Sequence, residues 1–96
     1  LHIESNYKNN KLEGNFIAYH EYEVNEITQI KVMKNYASGK IDGKYVEYHE
    51  NGNLRSLGHY SNGKIVGEYF VYNRTGKLVE TIFYKNGILS RVKKNF

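Results

Sequence analysis

The sequence predicts an all-β fold, a single-layer antiparallel β-meander of about eight strands, curved and elongated, and three observations carry that expectation. A 24-residue unit is written twice in direct succession, over residues 43–66 and 67–90. Turn signals recur about every twelve residues, which leaves no room for a crossover helix and makes sequential strands antiparallel neighbours. Ten tyrosines and four phenylalanines stand against one methionine, no tryptophan and no proline. Aromatic side chains suit a pleated surface, and without proline no strand loses a backbone donor.

The two copies match at Gly43/Gly67, Tyr45/Tyr69, Tyr48/Tyr72, Gly52/Gly76, Leu54/Leu78, Tyr60/Tyr84 and Gly63/Gly87. A fixed period with glycines and tyrosines in register marks a repeat array. Each unit parses into a Gly-x-Tyr-x-x-Tyr strand, the turn pair Asn51-Gly52, a second strand over 54–60 and the turn pair Asn62-Gly63. Asn-Gly between strand-like runs predicts a type I′ turn, whose two central residues need the positive φ that Gly and Asn tolerate best.

From the start of the chain, residues 1–13 form a partial repeat that begins at a second strand, with Lys8-Asn9-Asn10-Lys11 as its turn. A fuller repeat occupies 14–42, where Gly14, Phe16 and Tyr19 match Gly43, Tyr45 and Tyr48. Tyr19 to Tyr36 spans 17 residues where Tyr48 to Tyr60 spans 12, so five residues are inserted within 20–26, a stretch holding three of the ten acidic residues. Either the two strands are longer there or the turn has become a loop, and a loop would be a natural recognition element. Residues 27–36 resume alternation with Ile30, Val32 and Tyr36 on one face. Residues 91–96 end the last strand, where Arg91, Lys93 and Lys94 discourage strand addition at a terminal edge. The opening at Leu1, within a strand, is expected of a processed product or of a piece cut from a longer repeat protein.

Side-chain alternation places Ile17 and Tyr19, Val46 and Tyr48, and Phe70 and Tyr72 on one face, with Phe16, Tyr45 and Tyr69 on the other. Large side chains on both faces of a single layer require the sheet to curl or to bury a face against something else.

Composition narrows the chemistry. The absence of cysteine removes disulfides, cysteine zinc sites and thiol nucleophiles together. No apolar run approaches the roughly 20 residues of a membrane-spanning helix. The first fifty residues hold six basic and eight acidic side chains, the remainder eight and two, so positive charge gathers toward the C-terminus. His20 and His49 recur at one repeat position, yet no third or fourth ligand stands at zinc spacing. Glu47 and Glu50 flank His49, and Glu21 and Glu23 follow His20, but neither a nucleophile in a motif nor an oxyanion-stabilising group accompanies them, so no enzyme is expected, and no metal or cofactor. The glycines mark turns and bulges rather than a phosphate loop, because no helix follows them. Asn73-Arg74-Thr75 fits a glycosylation sequon inside a turn.

At Tyr60-Ser-Asn-Gly63-Lys-Ile-Val-Gly67-Glu-Tyr69, and again at Tyr84-Lys-Asn-Gly87, the chain resembles the MORN repeat, in particular the bacterial MORN-repeat-variant family. Weaker copies run from Tyr36 to Tyr45 and from Tyr7 to Phe16. The resemblance implies antiparallel hairpins laid side by side, used for protein contact, scaffolding, dimerisation or association with anionic lipid. Many bacterial variant proteins carry an antitoxin-like label, so the resemblance also implies an antitoxin-like or immunity-like binding role. The chain departs from the standard pattern in lacking tryptophan, in its 24-residue spacing and in the insertion.

The expectation is therefore a non-enzymatic protein–protein interaction or scaffold module, with a protein partner, or another copy docking through sheet face or edge. Phe16, Tyr45 and Tyr69, with Tyr22 and Glu23 on the insertion, are the candidate contacts, because a rigid tyrosine ring buries area at low entropic cost. Tyr19, Tyr48, Tyr72, Leu54 and Leu78 are assigned to the sheet's own packing. The alternative is a peripheral membrane module that binds anionic lipid through the basic C-terminal half. Interleaved tyrosine and lysine also raise single-stranded nucleic acid, but the tyrosines keep the repeat period as structural ladders do; neither nucleic acid nor a small-molecule substrate is expected.

Overall fold

The computed structural model describes residues 3–24 and 27–95, with the side chains of 20–29 outside the description. Tight turns set the hairpins. Asn9 and Asn10 (φ 53° and 64°), Ser38 and Gly39 (50° and 82°), Asn62 and Gly63 (51° and 83°) and Asn86 and Gly87 (51° and 82°) all have positive φ at both central positions. That is the type I′ signature, whose twist matches the right-handed twist of the flanking strands.

Between these turns lie β1 (Ile3–Glu4), β2 (Tyr7–Lys8), β3 (Lys11–Leu12), β4 (Gly14–Val24), β5 (Ile27–Ala37), β6 (Lys40–Tyr48), β7 (Leu54–Ser61), β8 (Lys64–Tyr72), β9 (Leu78–Lys85) and β10 (Ile88–Lys94). Eight of them form one sheet in the order β1-β4-β5-β6-β7-β8-β9-β10, and β2 and β3 make a separate two-stranded hairpin. Every pairing is antiparallel, and no helix occurs among the described residues. The meander of about eight strands stands as expected.

The sheet is one layer. Its extents are 39 × 37 × 13 Å, and two sheets packed about 10 Å apart would be thicker than 13 Å once their outer side chains were added. The radius of gyration is 14.6 Å, against about 12.5 Å for a compact globule of this length. Burial is correspondingly thin: Ala18, Val46, Ser56 and Thr81 are buried, and no described side chain falls below 2% exposure. Stability thus rests on the backbone ladder and on cross-strand pairs rather than on an enclosed core.

Adjacent hairpins are also stitched at their turns. The turn amides of Gly39, Gly63 and Gly87 donate to the carbonyls of Leu12, Ile41 and Ile65, at 2.8, 2.8 and 2.9 Å. Beside two of these, the Glu13 and Asp42 carboxylates accept from the amides of Ser38 and Asn62, at 3.2 and 3.0 Å. At the opposite end, Asn51 and Asn53 both donate through Nδ2 to the Arg74 carbonyl at 2.8 Å, and His49 Nε2 lies 3.0 Å from the Tyr72 carbonyl. His49 thus ties one repeat to the next.

Three expectations change, and of the two forms open to the insertion the structure takes the longer strands. Asn51-Gly52 is not a type I′ pair: only Gly52 has positive φ, at 90°, and the loop closes through His49 N to Asn53 O (2.8 Å) and Gly52 N to His49 O (2.9 Å). Three residues separate the closing pair instead of two, so an ordinary turn followed by one left-handed glycine fits where a I′ turn does not. From residue 3, where the described residues begin, to residue 7 the chain does not make one strand; β1 and β2 are separate, and Asn6 between them accepts the Glu13 amide at 2.9 Å. The insertion lengthens strands: β4 and β5 each run 11 residues and still pair at Glu23↔Thr28 and Val24↔Ile27. Ile30 does not share a face with Val32 and Tyr36. It pairs with Tyr19 while Val32 pairs with Ala18; the extra residue, Lys31, breaks the alternation as a bulge. Arg55 and Val79 are the extra residues at the corresponding places of β7 and β9.

Candidate functional site on the tyrosine face

Cross-strand register assembles the face from the sequence. Gly14, Gly43 and Gly67, with φ of 79°, 100° and 73°, stand opposite Tyr36, Tyr60 and Tyr84. Two residues after each glycine comes the aromatic that meets that tyrosine. Phe16 packs on Tyr36 with centroids 5.6 Å apart, Tyr45 on Tyr60 at 5.4 Å and Tyr69 on Tyr84 at 6.4 Å. These are edge-on or tilted contacts of the kind favoured by ring quadrupoles. Each hairpin therefore contributes one aromatic pair to the same face.

Below the rings runs a row of smaller residues: Ala18, Val32, Glu47, Ser56, Val71 and Glu80 stand opposite one another from β4 to β9. The Tyr45 hydroxyl donates to Glu47 Oε1 at 2.6 Å, and the Tyr69 hydroxyl donates to Ser56 Oγ at 2.9 Å. Gly58 makes room for this arrangement. A Cβ there would lie 2.6 Å from Cδ2 of Tyr69, so the Tyr69 ring occupies the space a side chain would need.

The hydroxyls titrate accordingly. Burial pushes Tyr45 well above the ordinary tyrosine value of 10.0, reinforced by its hydrogen bond to Glu47 and by that carboxylate's charge. Burial also raises Tyr60, with further contributions from Tyr69, Tyr84 and Glu47. Tyr69 is raised first by burial and then by Glu47 and Tyr84, against the opposing effects of its hydrogen bond with Ser56 and of the charge of Arg55.

Of the sequence-predicted contacts, Phe16, Tyr45 and Tyr69 come together on this face. Tyr22 and Glu23 lie in β4, and their side chains are outside the described residues. Sequence reasoning missed Tyr36, Tyr60 and Tyr84 as partners of these aromatics, and it missed Glu47. Their signal was available: each tyrosine closes its unit at a fixed distance before the turn glycine, and Glu47 sits two residues from Tyr45 in a strand. The opposite face carries Ile17, Met33, Val46, Leu57 and Phe70 in one row. A shallow groove of about 230 Å³ over Ile17, Met33 and Val46 of that row is edged by Asn15, Asn35, Lys44 and Tyr48.

Among the described residues the fold is an open hairpin-repeat sheet of one layer, the architecture of a repeat scaffold. The MORN repeat variant family matches the chain twice, over residues 41–62 and 65–86, and these segments are MORN repeats of that type. The matches are offset by the same 24 residues that separate Gly43 from Gly67. No curated protein and no solved structure matches the chain. Repeats of this family commonly serve as protein- or membrane-binding modules.

Proposed function

We propose that this chain is a protein-docking module whose tyrosine face is the contact surface, with Phe16, Tyr45 and Tyr69 among the contacts and Tyr22 and Glu23 of the insertion as further candidate contacts. One observation carries the reading: three aromatic pairs recur on one side of a sheet that is 13 Å thick and has no second layer. Rigid amphipathic rings of this kind form the anchors of protein interfaces. An antitoxin-like or immunity-like role is one form of this reading, in which the partner is an effector that the module neutralises by covering it.

The test is affinity capture with the tagged chain, in parallel with Tyr45→Ser and Phe16→Ser variants held at a temperature where circular dichroism shows them folded. The reading expects one stoichiometric protein that survives nuclease and detergent and is lost from the variants. Recovery unchanged in both variants would move the contact to the Ile17–Phe70 row.

A second reading has its own observation. β10 is exposed throughout, with Ile88 72%, Leu89 54% and Val92 41% accessible beside Arg91, Lys93 and Lys94. Apolar side chains flanked by cations suit an anionic lipid surface. Flotation with phosphatidylserine vesicles that falls steeply with salt and with Lys93→Gln/Lys94→Gln supports it; no flotation at low salt removes it.

A further inference from the structure

Cations of the chain itself cover two of its aromatic groups. The Lys34 ammonium sits 4.8 Å from the Phe16 ring centre and 5.5 Å from that of Tyr36. The Arg91 guanidinium sits 4.2 Å from the Phe83 ring centre, on the other face. At the repeat position of Lys34, two residues before the tyrosine that closes each unit, the next repeats carry Gly58 and Ile82. Accordingly, among the described residues no cation stands over the Tyr45–Tyr60 pair or the Tyr69–Tyr84 pair.

What stands there is a carboxylate. Glu47 faces Ser56 across β6 and β7, and the hydroxyls of Tyr45 and Tyr69 point into that pair. One oxygen of Glu47 accepts from Tyr45 at 2.6 Å; its second oxygen takes no hydrogen bond and no ion pair from any described residue. Arg55 is near enough for its charge to act on Tyr69, yet it neither pairs with Glu47 nor covers a ring. The charge of Glu47 reaches Tyr45, Tyr60 and Tyr69, so all three rings share its field.

We propose that Tyr45, Tyr60 and Tyr69 with Glu47 form a receptor for an arginine side chain presented by the protein partner, the position that Lys34 fills within the chain at Phe16 and Tyr36. This rests on the docking reading above and names the chemistry of the partner. Arginine fits better than lysine, because a planar guanidinium stacks on a tyrosine ring while its N–H edge pairs with a carboxylate. The free oxygen of Glu47 supplies that acceptor without disturbing the Tyr45 hydrogen bond.

The probe is the acetylated, amidated tripeptide Gly-Arg-Gly, titrated into labelled protein and followed by NMR, beside the isosteric citrulline peptide, which lacks the charge. The expected result is saturable shifts of the Tyr45, Tyr60 and Tyr69 ring signals with the arginine peptide and none with citrulline. Glu47→Gln keeps an acceptor for the Tyr45 hydroxyl, so the fold is retained, and weakens binding about tenfold. Tyr60→Leu keeps the apolar bulk and weakens it about fivefold. Equal shifts with the citrulline peptide, or affinity unchanged in Glu47→Gln, overturns the proposal. If the arginine peptide fails while the captured partner still depends on Tyr45, the docking reading survives and only the arginine receptor is lost.

Discussion

Replacing Gly58 by alanine tests whether the tyrosine face is assembled by close packing between repeats. The added carbon would lie 2.6 Å from Cδ2 and 3.2 Å from Cε2 of the Tyr69 ring. That ring cannot simply turn aside, since its hydroxyl is held by Ser56 at 2.9 Å and its edge meets Tyr84 at 6.4 Å. Overpacking of this kind costs about 1–3 kcal/mol, and a broken Tyr69–Ser56 bond adds about 1 kcal/mol. Alanine recovers about 0.5–1 kcal/mol of backbone entropy that glycine loses in a strand. The net is a destabilisation of about 2 kcal/mol, a melting-point drop of roughly 8–15 °C for a domain of this size. Urea denaturation followed by circular dichroism measures it, in the native background and in Tyr69→Ala. With the ring gone, the methyl group has room and Gly58→Ala becomes neutral or slightly stabilising. The same cost in both backgrounds would mean that the two residues are not coupled, and the packing account of this face would fail.

Other outcomes follow from the same geometry. Tyr45, Tyr60 and Tyr69 keep their protons in the folded chain beyond the 10.0 of an ordinary tyrosine. Their folded values are raised, so this part of the stability is complete below the unfolded value and is lost as pH climbs above it. The urea midpoint should fall as pH rises above 10.0, with a late rise of phenolate absorbance, and a flat midpoint there refutes the burial of these hydroxyls. Lys34→Ala removes the cation from Phe16 and Tyr36 and should lose about 0.5–1 kcal/mol, whereas Lys31→Ala, on an exposed bulge residue, should lose almost nothing; equal losses contradict the cation–π assignment. Asn62→Ala forces alanine to φ near 51° and should cost about 1 kcal/mol in the same assay, while Asn62→Gly stays near neutral; an inert alanine would argue against the I′ turn.

The repeat frame was legible because its signals are local. Ser38-Gly39, Asn62-Gly63 and Asn86-Gly87 fix three hairpins by the φ values they permit, and the period of the tyrosines sets which strands are neighbours. The loop at 50–52 was legible only by comparison: Thr75 stands where Asn51 does, and a β-branched residue is a poor occupant of a position with positive φ. Bulges at Lys31, Arg55 and Val79 left no such mark, since one extra residue shifts register through backbone hydrogen bonds rather than through residue type. Of the site, Phe16, Tyr45 and Tyr69 were visible from alternation. Their partners Tyr36, Tyr60 and Tyr84 are marked only by the repeat period and not by alternation, because that pairing is diagonal and depends on the positive-φ glycines opposite them. Gly58 read as an ordinary strand residue, since its role lies in the ring of another strand.

The account's central claim is that the aromatic pairs form the docking face, and it is tested most directly by mapping the captured partner onto the chain through NMR signals of the side chains. Shifts confined to Phe16, Tyr45, Tyr60 and Tyr69, with Tyr48, Phe70 and Tyr72 unmoved, are the predicted result. Shifts on Ile17, Val46 and Phe70, or along β10, would place the contact elsewhere and contradict it.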